Sequence, residues 1–340
     1  MTHGLTRATA LWIGAALLIS AGCSGEGDGE APRDADANAG EAAGQGETRV
    51  FVDDLGREVR LGDDPERIVA GASFAVEYLA ALDHRPVLRP NVPLAGVGEL
   101  AGEIESIPTL AIDHSVGPNI EQIVAAEPDL VVLSPTFARF ADTIEGAADA
   151  AVVIFRIDAL EDVPAKAEAF GELIGDPVAG EALAEDLERR VRTIEPPGGL
   201  ADGEGPTVFA LFGTPASFFA FLPESYLGSM VERLGGRMVS GGTVASATSS
   251  QLAPFSFEAL IAADPDVILM VHHGPAGEMA DALADRASWS DLGAVESGRV
   301  HRVSERLFMT NPGPSAVRAL SELRGLLYPE AVEPGEGAGG

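Results

Sequence analysis

The sequence predicts an α/β protein of two Rossmann-like lobes with parallel sheets, joined by a long connecting helix. Three observations carry that prediction. Short, continuous apolar runs, of the kind that become buried parallel strands, alternate with segments whose apolar residues recur at helical spacing. A long helically periodic stretch divides this alternation into two sets. Each set also contains a near copy of one unit found in the other.

Residues 1–22 read as a secretory signal peptide. Arg7 supplies a positive start, Leu11-Trp12-Ile13 through Leu17-Leu18-Ile19 form an apolar core, and small Ser20-Ala21-Gly22 precede Cys23. The apolar run is too short to span a bilayer comfortably. Cys23 is the single cysteine of the chain, so no disulfide framework exists. Its place directly after Ala-Gly resembles the bacterial lipoprotein lipobox, with Ser20 where that pattern usually has Leu. The resemblance implies lipidation of Cys23 and anchoring to the cell membrane on its extracytoplasmic side. Residues 23–48 are mostly Gly, Ala, Asp and Glu without an aromatic. Such a stretch buries too little apolar surface to order itself, which predicts an acidic disordered tether, and residues 330–340 predict a disordered tail on the same ground.

The N-terminal α/β lobe is expected over residues 49–162. Alternation around Asp53-Asp54-Leu55-Gly56 predicts an opening hairpin from Arg49 to Leu61. Strands are expected at 67–71, 129–134 and 151–155, and helices at 75–82 and 119–126. Residues 163–197 predict the connecting helix. Ala167, Phe170, Leu173, Ile174, Ala182, Leu183, Leu187 and Val191 keep the helical period, with Gly175-Asp176-Pro177 interrupting it. Such a connector limits lobe closure more than a flexible hinge does. The C-terminal α/β lobe, residues 198–329, has strand-like runs at 207–212, 266–271 and 299–304.

The internal copy is specific. Asn119-Ile-Glu-Gln-Ile-Val-Ala-Ala-Glu-Pro-Asp-Leu-Val-Val-Leu is matched by Ser256-Phe-Glu-Ala-Leu-Ile-Ala-Ala-Asp-Pro-Asp-Val-Ile-Leu-Met. Glu121 and Glu258, 137 residues apart, hold the same place, as do Pro128 with Pro265 and Asp129 with Asp266. Each copy reads as a short helix, a Pro-Asp turn and a buried strand, with an acid in the first helical turn where the helix dipole favours it.

Composition removes several functions. The chain has 53 acidic and 22 basic residues, a formal net charge of −31 and a single lysine, Lys166, in Val163-Pro-Ala-Lys-Ala-Glu. A P-loop and lysine Schiff-base chemistry are therefore excluded, and without a basic stripe nucleic acid is not an expected partner. No Gly-x-Ser-x-Gly elbow and no catalytic cysteine are present, so an enzyme is not expected.

The whole body, about Val50 to Pro329, resembles the substrate-binding proteins of bacterial ABC importers for iron siderophores, cobalamin and haem. The matching pieces are Asp54-Leu-Gly-Arg-Glu-Val, Arg67-Ile-Val, both Glu-to-Pro-Asp units and Trp289-Ser-Asp-Leu-Gly-Ala-Val-Glu-Ser-Gly-Arg-Val. The resemblance implies a ligand cleft between the lobes, a monomer, and an ABC permease with its ATPase as partners. It further implies that Glu121 and Glu258 dock into arginine-lined sockets of the permease. The C-terminal lobe is most similar to haem-receptor lipoproteins of Gram-positive importers, through Phe212-Gly-Thr-Pro-Ala-Ser-Phe-Phe-Ala and Pro265-Asp-Val-Ile-Leu-Met-Val-His-His-Gly-Pro. In those relatives a His before Gly binds haem iron axially, which implies His273 here. Their second ligand, a Met before Pro-Asn, is replaced by Val116. His114 and Met309 are the alternatives. A porphyrin needs apolar walls and partners for its propionates, which nominates Phe74, Phe137, Phe218, Phe219 and Phe308 with Arg89, Arg139 and Arg156 as cleft contacts. A ferric siderophore or cobalamin remains the alternative ligand.

Overall fold

The computed structural model describes residues 49–62, 64–91, 104–113, 116–200, 203–214, 217–242, 251–272, 277–309 and 313–331. The predicted signal peptide and tether lie outside these.

The chain enters through a hairpin of β1 (Arg49–Val52) and β2 (Glu58–Leu61), paired antiparallel as expected. Asp53 fixes its turn: its carboxylate accepts from the backbone N–H groups of Leu55, Arg57 and, across the lobe, Ile154. The N-lobe sheet is the parallel trio β3 (Ile68–Ala70), β8 (Leu130–Leu133) and β9 (Ala151–Ile154), with β8 central. Between β3 and β8 lie α1 (Ser73–Ala81), β4 (Arg89–Pro90), β5 (Thr109–Leu110), β6 (Ile112–Asp113), β7 (Gly117–Pro118) and α2 (Ile120–Ala125). The short β6 and β7 pair antiparallel. α1 is apolar nearly all round and is buried from Phe74 to Ala80, as such a helix must be. α3 (Ala141–Ala148) joins β8 to β9.

The expected connecting helix over 163–197 is broken where Gly175-Asp176-Pro177 interrupts its period, into α4 (Asp162–Ile174) and α5 (Pro177–Thr193). Gly175 takes a left-handed φ of +82° and ends the first. Asp176 then caps the second, accepting from the Ala179 N–H at 2.9 Å, and Pro177 occupies the first helical position. The two helices cross at Gly171 and Gly180, where a Cβ on Gly171 would meet the Gly180 Cα at 2.5 Å.

The C-lobe sheet orders its strands β13 (Leu252–Pro254), β11 (Ser217–Phe221), β10 (Thr207–Thr214), β14 (Val267–His272) and β15 (Val300–Ser304), with β12 (Arg237–Met238) against the start of β10. The expected parallel sheet is present, with one strand reversed. β10, β12, β14 and β15 run parallel, and β11 alone is reversed, pairing antiparallel with β10 on one side and with β13 on the other. Only two residues separate β10 from β11, too few for a crossover helix, so the strand must turn back. The helices of this lobe are α6 (Tyr226–Arg233), α7 (Phe257–Ala263), α8 (Gly277–Ala284), α9 (Gly293–Glu296), α10 (Glu305–Phe308) and α11 (Ala316–Leu327).

The internal copy has the same geometry in both lobes. Asn119 and Ser256 cap α2 and α7, accepting from the Gln122 and Ala259 N–H groups. Glu127 and Asp264 take left-handed φ values of 45° and 35°, Pro128 and Pro265 are buried, and the following strand, β8 or β14, lies between two parallel neighbours. Asp129 accepts from the Glu66 and Arg67 N–H groups, and Asp266 from the Thr207 N–H and hydroxyl. The repeated Pro-Asp thus fastens each of these strands to the start of a parallel neighbour.

Candidate functional site

In open parallel sheets, ligands bind beyond the carboxyl ends of the strands. Segments that follow such strand ends carry the contacts between the lobes. From the N-lobe, the segment after β9 reaches across: the Leu160 N–H donates to Ser229 Oγ of α6 at 2.9 Å, and Asp158 Oδ1 accepts from Gln251 Nε2 at 3.2 Å. Glu77 of α1 accepts from the Ser315 N–H at 3.1 Å and hydroxyl at 2.7 Å, and Arg306 Nη2 lies 3.8 Å away. Tyr78 donates to the Val163 carbonyl at 2.7 Å and stacks on Phe170.

The expected site residues divide sharply. His273, His114 and Cys23 lie outside the described residues; β14 ends one residue before His273. Met309 directly follows α10 and is half-buried against the core. Phe74, Phe137 and Phe308 are 4%, 5% and 1% exposed and pack within the hydrophobic clusters of their lobes. Phe218 and Phe219 alternate across β11. Phe218 packs edge-on against Phe255, whereas Phe219 pairs with Phe212 on the adjoining strand. Both are half-buried.

Among the arginines, Arg89 is buried and donates to the Ile104, Pro90 and Glu105 carbonyls, a structural role. Arg139 is exposed, donates to the Thr136 carbonyl and lies 4.5 Å over the Phe140 ring. Arg156 stands at the lobe junction, its Nε 3.8 Å from Asp158. Val116 is exposed at the β6–β7 turn. Glu121 and Glu258 are exposed in the first turns of α2 and α7. Glu258 is held below the usual carboxylate range, first by a backbone N–H and then by the Ser256 hydroxyl. Among the described residues no group of three or more His, Cys, Asp or Glu side chains converges to hold a metal ion, and no helix is long and apolar enough to cross a membrane.

The family profile described as "Periplasmic binding protein" matches residues 68–307. The chain belongs to that family. As a periplasmic binding protein it is a substrate-binding protein of the ABC-transporter class, not an enzyme. It is 22% identical to the uncharacterized ABC transporter substrate-binding lipoprotein YvrC of Bacillus subtilis over 63% of this chain and 67% of that one. It is also 22% identical to the high-affinity heme uptake system protein IsdE of Staphylococcus aureus, over 64% and 74%. Its fold matches the crystal structure of S. aureus IsdE complexed with heme, with a TM-score of 0.62 at 21% identity over 77% of this chain and 98% of that one. S. aureus SirA complexed with staphyloferrin B gives the same TM-score at 16% identity over 83% and 98%.

Sequence reasoning missed much of this periplasmic binding protein's lobe junction. The one available signal was Glu77, a lone carboxylate in the apolar helix Ser73-Phe-Ala-Val-Glu-Tyr-Leu-Ala-Ala. Its partners Arg306 and Ser315 are more than two hundred residues away and carry no local mark.

Proposed function

We propose that the protein is an extracytoplasmic receptor, lipid-anchored to the cell membrane through Cys23, that captures haem and delivers it as a monomer to an ABC permease and its ATPase. The observation that carries the haem reading is the end of β14. β14, between its parallel neighbours β10 and β15, ends at His272, ligands of open α/β sheets bind beyond such carboxyl ends, and His273 is the next residue in the sequence. A neutral imidazole there is a suitable axial donor to haem iron. The IsdE relatives support the same ligand. Their Met position is filled by Val116, which has no donor atom, so the second axial group comes from His114, from Met309 or from solvent.

Val116 also favours a second reading, a ferric siderophore or cobalamin held without ligation by the protein, and the fold shared with SirA is consistent with it. Titration of the purified protein with hemin separates the two. The haem reading expects a sharpened, shifted Soret band that His273→Ala weakens. An unchanged Soret band beside tight binding of a ferric siderophore or cobalamin overturns haem as the ligand and leaves the receptor class standing.

A further inference from the structure

Of the three arginines expected near the cleft, Arg156 alone keeps the outer edge of its guanidinium open. The side chain of Arg89 is tied to carbonyls, and that of Arg139 lies on an aromatic ring. Arg156 follows β9, and its N–H donates to Asp54 Oδ2 at 2.6 Å. The other Asp54 oxygen receives Lys166 at 2.6 Å, so the backbone at Arg156 is held firmly. Its side chain is 44% exposed and touches Asp158 only through Nε, at 3.8 Å. Neither Nη group has a partner among the described residues. Asp158 in turn bonds Gln251, which leads into β13 of the other lobe. The free edge of a guanidinium matches a carboxylate in shape and charge, and binds it by two parallel hydrogen bonds. A single-contact, half-exposed ion pair such as Arg156–Asp158 is weak by comparison.

Resting on the receptor reading above, we infer that Arg156 recognises a carboxylate of the bound iron chelate, which exchanges for Asp158 and leaves Asp158 to Gln251 across the lobe junction. Ligand capture is thereby linked to the contact between the lobes. The class of ligand is then a carboxylate-bearing chelate rather than a neutral one.

The test titrates the folded protein with hemin, which carries two propionates, with hemin dimethyl ester, which carries none, and with a neutral ferric trihydroxamate. Arg156→Gln is expected to weaken hemin roughly ten- to a hundredfold, the range of a charge-assisted pair, while the ester changes less than about twofold. Asp158→Asn is expected to tighten hemin, and to lose that effect in the double variant with Arg156→Gln. Arg156→Lys should restore hemin binding only in part, because an ammonium lacks the planar fork. Equal weakening of hemin and its ester by Arg156→Gln overturns the carboxylate assignment alone, as does tight binding of only the neutral trihydroxamate. Binding of none of the three overturns the receptor reading and this inference with it.

Discussion

Glu77 occupies a place where a carboxylate is costly. It is 4% exposed on a buried helix, beside the buried rings of Tyr78 and Tyr226. Burial raises its pKa above the ordinary glutamate value, opposed by the Ser315 hydrogen bonds and by Arg306. A carboxyl whose pKa is raised on folding contributes stability that is fully present below its unfolded pKa, about 4.3, and lost as pH rises through the folded value. Glu77→Gln keeps an acceptor for Ser315 and removes the charge. The variant should therefore gain on wild type as pH rises from about 4.3 towards neutrality, measured by urea denaturation across that range. Glu77→Ala removes the acceptor from two buried donors and should cost about 2–4 kcal/mol at neutral pH. A flat difference between Glu77→Gln and wild type would show that folding leaves the Glu77 pKa unshifted and would overturn this assignment. The lone Lys166 resolves in the opposite direction: its pair with Asp54 and its place 5.3 Å over the Phe155 ring make it structural.

Among elements, the connector is the most exacting. Gly171 and Gly180 let α4 and α5 cross with backbone against backbone, and a Cβ at Gly180 would come within 2.8 Å of the Gly171 Cα. Neither backbone can withdraw without moving its helix. Gly180→Ala should therefore destabilise by about 1–3 kcal/mol despite the better helix propensity of Ala, seen as a lower denaturation midpoint with unchanged slope. A gain in stability would show that the crossing is loose. The break itself was legible at Gly175-Asp176-Pro177, because each residue there has a local conformational preference. The close crossing was not, since it depends on which residues meet after the chain reverses at Gly175, nine positions apart in Gly171 and Gly180. A similar division holds elsewhere. The strands 67–71, 129–134 and 151–155 were legible as continuous apolar runs, and the duplicated helix–Pro-Asp–strand unit is matched cap for cap. The antiparallel return of β11 was hidden because two adjacent aromatics, Phe218 and Phe219, carry no apolar–polar alternation, although a strand places them on opposite faces. In the same way Phe74, Phe137 and Phe308 carry no sequence mark distinguishing a cleft wall from a core ring.

At the scale of the molecule, one hydrophobic core runs through both lobes and the helices between them, taking in Leu79, Leu130, Phe170, Leu187, Leu227 and Leu269. Separate clusters cover the outer faces of the two sheets. The junction is therefore packed as an interior, and relative lobe movement is limited by that shared core as well as by Glu77 and Asp158. A receptor that moves little must present its docking points in fixed geometry. Residues 49–162 carry 21 acids against 8 basic residues and residues 198–329 carry 14 against 8, so acidity alone selects no docking point. We propose the pair that the internal copy singles out: Glu121 and Glu258 are both exposed, in matching first turns just after a capped helix start, one in each lobe. Reversing either to Arg should impair uptake in cells or proteoliposomes containing the permease, with ligand affinity of the purified protein unchanged. The double reversal should abolish uptake, and raised salt should weaken wild-type docking, because exposed charges are screened beyond about 8 Å at physiological ionic strength. Glu181→Arg, an equal change of net charge on the exposed side of α5, should leave uptake intact. Normal transport by the double reversal would refute docking through the pair, whereas equal loss from Glu181→Arg would assign the effect to overall charge.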